Sequence, residues 1–128
     1  MNTPKHLEVM DGFARLAPCG NIPLVETVDL VTTAIAFCRA RAIRRLLVDS
    51  TGLVGFTPPD LADRYWMVQD WAHEARGQVA IALIANAEHI DPNRFGVVAA
   101  ADAGLVLDVF TTESDALGWL LGSWGDGA

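Results

Sequence analysis

Four residue types able to do chemistry stand at or just after apolar runs: Asp49 with Ser50 and Thr51, His89, and Asp108. Carboxylate, imidazole and hydroxyl are the parts of a hydrolytic set. The imidazole would take the hydroxyl proton and the carboxylate would hold the imidazole in the right tautomer. Asp49 and His89 follow successive predicted strands, the edge of a sheet where α/β enzymes build their sites. The Gly-x-Ser-x-Gly elbow that presents such a serine is absent,. Asp49 therefore reads first as a carboxylate capping its own loop, and His89 as a solvent-facing loop residue. A small hydrolase using Asp49, His89 and Ser50 or Thr51 is the alternative.

Metal and phosphate chemistry find less support. The close pairs are His73-Glu74 and His89-Ile90-Asp91, and Asp91 suits a helix cap better than a metal,. Cys19 and Cys38 supply too few soft ligands for a thiolate zinc site,. Phosphate would be held on free N–H groups at a helix start. Here Pro58, Pro59 and Asp60 occupy one predicted start, Asp91 and Pro92 another, Glu113 and Asp115 a third, and Pro23 and Glu26 stand near the first. Proline removes a donor and a carboxylate repels an anion. Gly52-Leu53-Val54-Gly55 has neither phosphate-loop nor dinucleotide spacing,. No cofactor and no metal is expected.

The elements that position these residues follow from periodicity. His6 to Met10 and Phe13 to Ala17 flank Asp11-Gly12, a two-residue hairpin signal,. Leu24, Val28, Val31, Ile35, Cys38 and Ala42 step by fours and threes, one stripe of a helix ending near Arg41,. Arg45 to Asp49 reads as a buried strand. Thr57, Pro58 and Asp60 predict the cap, first position and capping box of a second helix reaching Ala75, with Phe56 and Leu61 as its staple,. Leu61, Tyr65, Val68, Ala72 and Ala75 form its expected core stripe. Val79 to Ile84, apolar throughout, suits a central parallel strand. Asp91-Pro92 starts a third helix ended by Gly104, Leu105 to Phe110 forms the last strand, and Thr112-x-x-Asp115 caps a final helix. The order β-β-α-β-α-β-α-β-α demands right-handed crossovers. It predicts an α/β fold: a mostly parallel five-stranded sheet with an antiparallel edge hairpin and flanking helices, in a single domain over 1–128.

Composition agrees. Hydrophobic residues make up 52% of the chain, enough to bury a core without disulfides and to exclude disorder,. The net charge of −7 disfavours nucleic acid, since the basic cluster Arg39, Arg41, Arg44 and Arg45 falls where a helix C-terminus accommodates cations,. No apolar run is long enough to insert in a membrane. The first residues lack the basic and apolar regions of a signal peptide, so a cytoplasmic location is expected,. Cys38, on the first helix stripe, is expected buried.

Arg44 to Gly52, the apolar strand from Val79, and the closing Val109-Phe110…Ala116-Leu117-Gly118-Trp119-Leu120 resemble the corresponding segments of STAS/SpoIIAA-like domains, the anti-sigma-factor-antagonist type. The resemblance spans nearly the whole chain by element order. It implies a non-enzymatic regulatory or protein-binding domain, in some members switched by phosphorylation at a helix start. Members of that kind carry a hydroxyl residue in an Asp-Ser-Ser-Gly-like run. This chain has Thr57-Pro58-Pro59-Asp60 there and Asp49-Ser50-Thr51-Gly52 earlier, leaving Ser50, Thr51 and Thr57 as candidate sites.

Partner binding leaves its own trace. Trp66 and Met67 lie off the predicted stripe of the second helix, Trp66 among Asp63, Asp70 and His73, and Trp124 stands alone near the C-terminus. Aromatics and methionine are enriched at interfaces. The expectation is a non-catalytic STAS/SpoIIAA-like module, a homodimer through these residues with a regulatory protein as a further partner. A pocket for a small apolar ligand at the loop after Asp49 is a third reading.

Overall fold

The computed structural model describes residues 3–55 and 59–122, so Phe56, Thr57, Pro58 and Trp124 lie outside the described residues. The strands are β1 (Leu7–Val9), β2 (Ala14–Leu16), β3 (Arg45–Asp49), β4 (Ala80–Ile84) and β5 (Leu107–Phe110). The helices are α1 (Leu24–Ala40), α2 (Leu61–Ala75), α3 (Phe95–Asp102) and α4 (Glu113–Gly122), with a short 3-10 turn at Ala87–His89. The sheet order is β1-β2-β3-β4-β5; β1 and β2 are antiparallel and every other pair is parallel.

The hairpin forms at Asp11-Gly12, with Leu7 opposite Leu16 and Val9 opposite Ala14. Only Gly12 takes a positive φ, +85°, so Asp11 needs no left-handed backbone. Period-2 alternation then sorts β3 and β4. Leu46, Val48, Ile81 and Leu83 face α1, α2 and α3, whereas Leu47, Ala80, Ala82 and Ile84 face α4,. Both strands are apolar on both sides because helices cover both sides.

Two helix starts differ from expectation. Asp60 caps α2: its Oδ1 accepts from the Asp63 N–H at 2.7 Å, and the Asp60 N–H donates to Asp63 Oδ2 at 3.3 Å. Helix α2 therefore begins at Leu61, because this acidic pair satisfies the free donors that Thr57 was expected to cap. Asp91 does not open α3. Its Oδ2 accepts from the N–H groups of Asn93 (3.1 Å) and Phe95 (3.0 Å), closing a turn, and the helix starts at Phe95 after Arg94 in the left-handed region, φ +54°. Thr112 behaves as expected, its hydroxyl accepting from the Asp115 N–H at 3.2 Å.

The buried stripe of α2 is also rotated from the predicted one. Val68, Trp71 and Ala75 are buried, Met67 and Ala72 are half-buried, and Leu61 and Tyr65 are exposed. Burying the indole of Trp71 and the thioether of Met67 removes more apolar area from water than burying Leu61 and Tyr65, whose phenol keeps a polar end, so the helix turns its Trp71 side inward. Helix α2 packs between α1 and α3. Arg39 of α1 holds the end of α2, its guanidinium donating to the Glu74 carboxylate and to the Glu74 carbonyl, each at 2.8 Å. Arg41 stacks its guanidinium 4.8 Å from the centre of the Phe37 ring.

Candidate functional site

The residues nominated for chemistry gather at the C-terminal ends of β3 and β4, but on opposite faces of the sheet. Asp49 lies on the α4 side. Its Oδ1 accepts from the Thr51 hydroxyl at 2.6 Å and the Thr51 N–H at 3.0 Å, and its Oδ2 accepts from Arg15 Nη2 at 3.2 Å. Arg15 also donates to Glu113 Oε1 from Nη2 at 2.8 Å and from Nε at 3.3 Å. The hydrogen bond to Glu113, aided by the charges of Glu113 and Asp49, raises the Arg15 pKa against the opposing effect of burial. Asp49 is thus a loop-capping carboxylate with both oxygens engaged.

Ser50 and His89 stand on the other side. The Ser50 hydroxyl donates to the Ile84 carbonyl at 2.8 Å, which ties the loop after β3 to the end of β4. His89 ends the 3-10 turn, and its carbonyl accepts from Arg64 Nη2 at 2.9 Å. The sheet therefore parts Asp49 and Thr51 from Ser50 and His89, and the Ser50 proton is already given to a carbonyl. These side chains are not assembled as a hydrolytic set. Asp108 is occupied likewise: one oxygen accepts from Arg94 and from the Val109 N–H. Among the described residues no cluster of three or more His, Cys, Asp or Glu side chains has the arrangement of a metal site.

Ser50 and His89 instead share the wall of a cavity of about 100 Å³. Its floor is the sheet, through Val48, Leu83 and Leu107; its roof is α2, through Met67, Val68 and Trp71; α1 closes one side with Leu24, Thr27 and Val31. The loop after Asp49 supplies Leu53. Arg64 fastens the rim by donating from Nε to the Pro59 carbonyl at 3.0 Å and from Nη2 to the His89 carbonyl. Thr27, 8% exposed, gives its hydroxyl proton to the Pro23 carbonyl at 3.1 Å. Sequence reasoning missed Trp71 as a wall residue. Its spacing of three from Val68 and four to Ala75 carried the signal,.

The residues nominated for an interface separate. Trp66 is 65% exposed and meets Tyr65 edge-on, ring centres 5.4 Å apart at 82°. Leu61, one turn before Tyr65, is exposed as well. Met67 does not join them: it turns inward, packs against the core and roofs the cavity. Among the described residues no helix is long and apolar enough to cross a membrane. No protein-family model matches the chain, and no curated protein matches it.

Proposed function

We propose that this chain is a non-catalytic protein-interaction or regulatory module of the STAS/SpoIIAA-like type, acting in the cytoplasm and pairing with a second copy of itself through the outer side of α2. The element order and the antiparallel edge hairpin on a parallel sheet agree with that type. The engaged oxygens of Asp49 and the engaged hydroxyl of Ser50 argue against catalysis at the loop. The observation that carries the reading is Trp66, a large aromatic 65% exposed beside exposed Tyr65 and Leu61. Exposed aromatics of this size are the usual anchors of protein contacts.

A twofold axis near Trp66 would run two copies of α2 antiparallel and bring the exposed Trp66, Tyr65 and Leu61 of both copies together,. A phosphate switch has poorer footing. A phosphate on Thr51 would stand against the Asp49 carboxylate its hydroxyl now touches at 2.6 Å, and Ser50 is half-buried,.

Light scattering after size exclusion tests the reading. The native chain is expected to run as a dimer and Trp66→Ala to shift toward monomer with an unchanged denaturation midpoint. A native chain that is monomeric at all concentrations overturns it.

A further inference from the structure

The cavity beneath α2 presents an almost wholly apolar surface, with Val31, Val48, Leu53, Val68, Leu83 and Leu107 in its wall. Trp71 lines it through ring carbons, since its Nε1–H has essentially no accessible area. The hydroxyl protons of the wall are committed to the protein. Ser50 gives its own to the Ile84 carbonyl and Thr27 gives its own to the Pro23 carbonyl. Arg64 directs Nε and Nη2 at the Pro59 and His89 carbonyls. Space of this kind is uncommon in a packed core, where voids larger than a water molecule are few. Each side chain that faces it forgoes dispersion contacts that a neighbour would supply.

From this we propose that the cavity binds a small uncharged hydrocarbon, a single ring or a short branched chain. Dispersion contacts and the removal of apolar surface from water would hold it. The volume sets the size. At about 100 Å³ it is of the same order as the roughly 150 Å³ apolar cavity that takes up benzene,. The composition of the wall sets the class. A charged or hydrogen-bonding group placed against Val48, Leu83 and Leu107 would lose its hydration and gain no partner in return,. Water is disfavoured for the same reason, because a buried water keeps two to four polar partners and the floor and roof present apolar side chains,. The position agrees with the architecture, since open parallel sheets bind ligands beyond the carboxyl ends of their strands. The site lies beneath α2 and the proposed dimer surface on its outer side, so neither depends on the other.

Two probes matched in ring size test the class: benzene and pyridine, titrated at neutral pH, where both are uncharged, into the native chain with ¹³C-labelled Leu and Val methyls. Benzene is expected to shift the methyl resonances of Val48, Leu53, Leu83 and Leu107 in a saturable way through its ring current. The methyls of Leu47 and Leu120, on the α4 side of the sheet, should stay where they are. Pyridine must give up the hydration of its nitrogen and is expected to bind at least about tenfold more weakly. Cavity methyls that do not move up to the aqueous solubility of benzene overturn the proposal, and that is also the result if part of the chain already fills the space. Shifts spread evenly over both faces of the sheet overturn it as well, and so does pyridine bound as tightly as benzene. Every outcome is read on the native chain, so none depends on a variant that folds.

Discussion

The two faces of the sheet are built in different ways. On one, three helices cover Ala14, Leu16, Leu46, Val48, Ile81 and Leu107 in a continuous apolar cluster that also takes in Val31, Ile35, Phe37 and Trp71. On the other, among the described residues, α4 covers Leu47, Ala80, Ala82 and Ile84, contributing Ala116 and Leu120. One helix cannot span five strands. Over β2 the α4 side of the sheet turns to charge, where Arg15 bridges Asp49 at the end of β3 and Glu113 at the start of α4. The residues on the α4 side of β4 are accordingly small, two alanines and one isoleucine, so that a single helix can sit close. The three-helix face buries the larger set of apolar side chains, so the greater share of the stability is expected there,. The same face holds the cavity beneath α2.

Truncation on each face should show this contrast directly. Ile81→Ala, at a fully buried centre of the larger cluster, is expected to cost about 4 kcal/mol in denaturant unfolding, and Leu120→Ala about 2–3 kcal/mol, because α4 has one neighbour layer and can settle toward the gap,. Equal losses would mean that both faces carry the fold alike. A smaller effect comes from Cys38, also on the larger face. Burial pushes its thiol up from 9.0 to about 12. The unfolded thiol ionises near 9 while the folded one keeps its proton, so stability is full below pH 9 and falls as pH rises from there toward 12. The loss is about 1.4 kcal/mol by pH 10. Cys38→Ala should flatten that slope in unfolding curves taken from pH 8 to 10.5; an unchanged slope would assign it to other groups. The least effect belongs to the charged part of the α4 face. Arg15→Ala is expected to cost about 0.5 kcal/mol, shrinking further in 1 M salt, since these partly exposed pairs are screened,.

Much of this fold was legible in the residues. Strand and helix order, the hairpin at Asp11-Gly12 and the Thr112 cap follow from period and local chemistry, which act over a few neighbours. What failed depended on competition between neighbours. Helix α2 starts at Leu61 behind the Asp60–Asp63 pair, three residues later than a cap at Thr57 would have set it, and two plausible caps so close together are not ranked by local chemistry. The face of α2 was misplaced because Leu61 and Tyr65 fit a helical stripe as well as Met67 and Trp71 do, and only packing against the sheet decides which side gains more. The separation of Asp49 from His89 was likewise hidden, since their order along the chain does not tell which face of the sheet a loop will occupy. The cavity had no sequence signature, being lined by residues from three helices and three strands far apart in the chain.

Arg64 carries a kinetic consequence. By joining the Pro59 carbonyl ahead of α2 to the His89 carbonyl after β4, it ties together two segments about 30 residues apart in the chain. Segments so tied open together. Traffic into the space beneath α2 is then governed by the lifetime of one side chain's pair of hydrogen bonds, and amide protons on both sides of that link should exchange with solvent at a common rate.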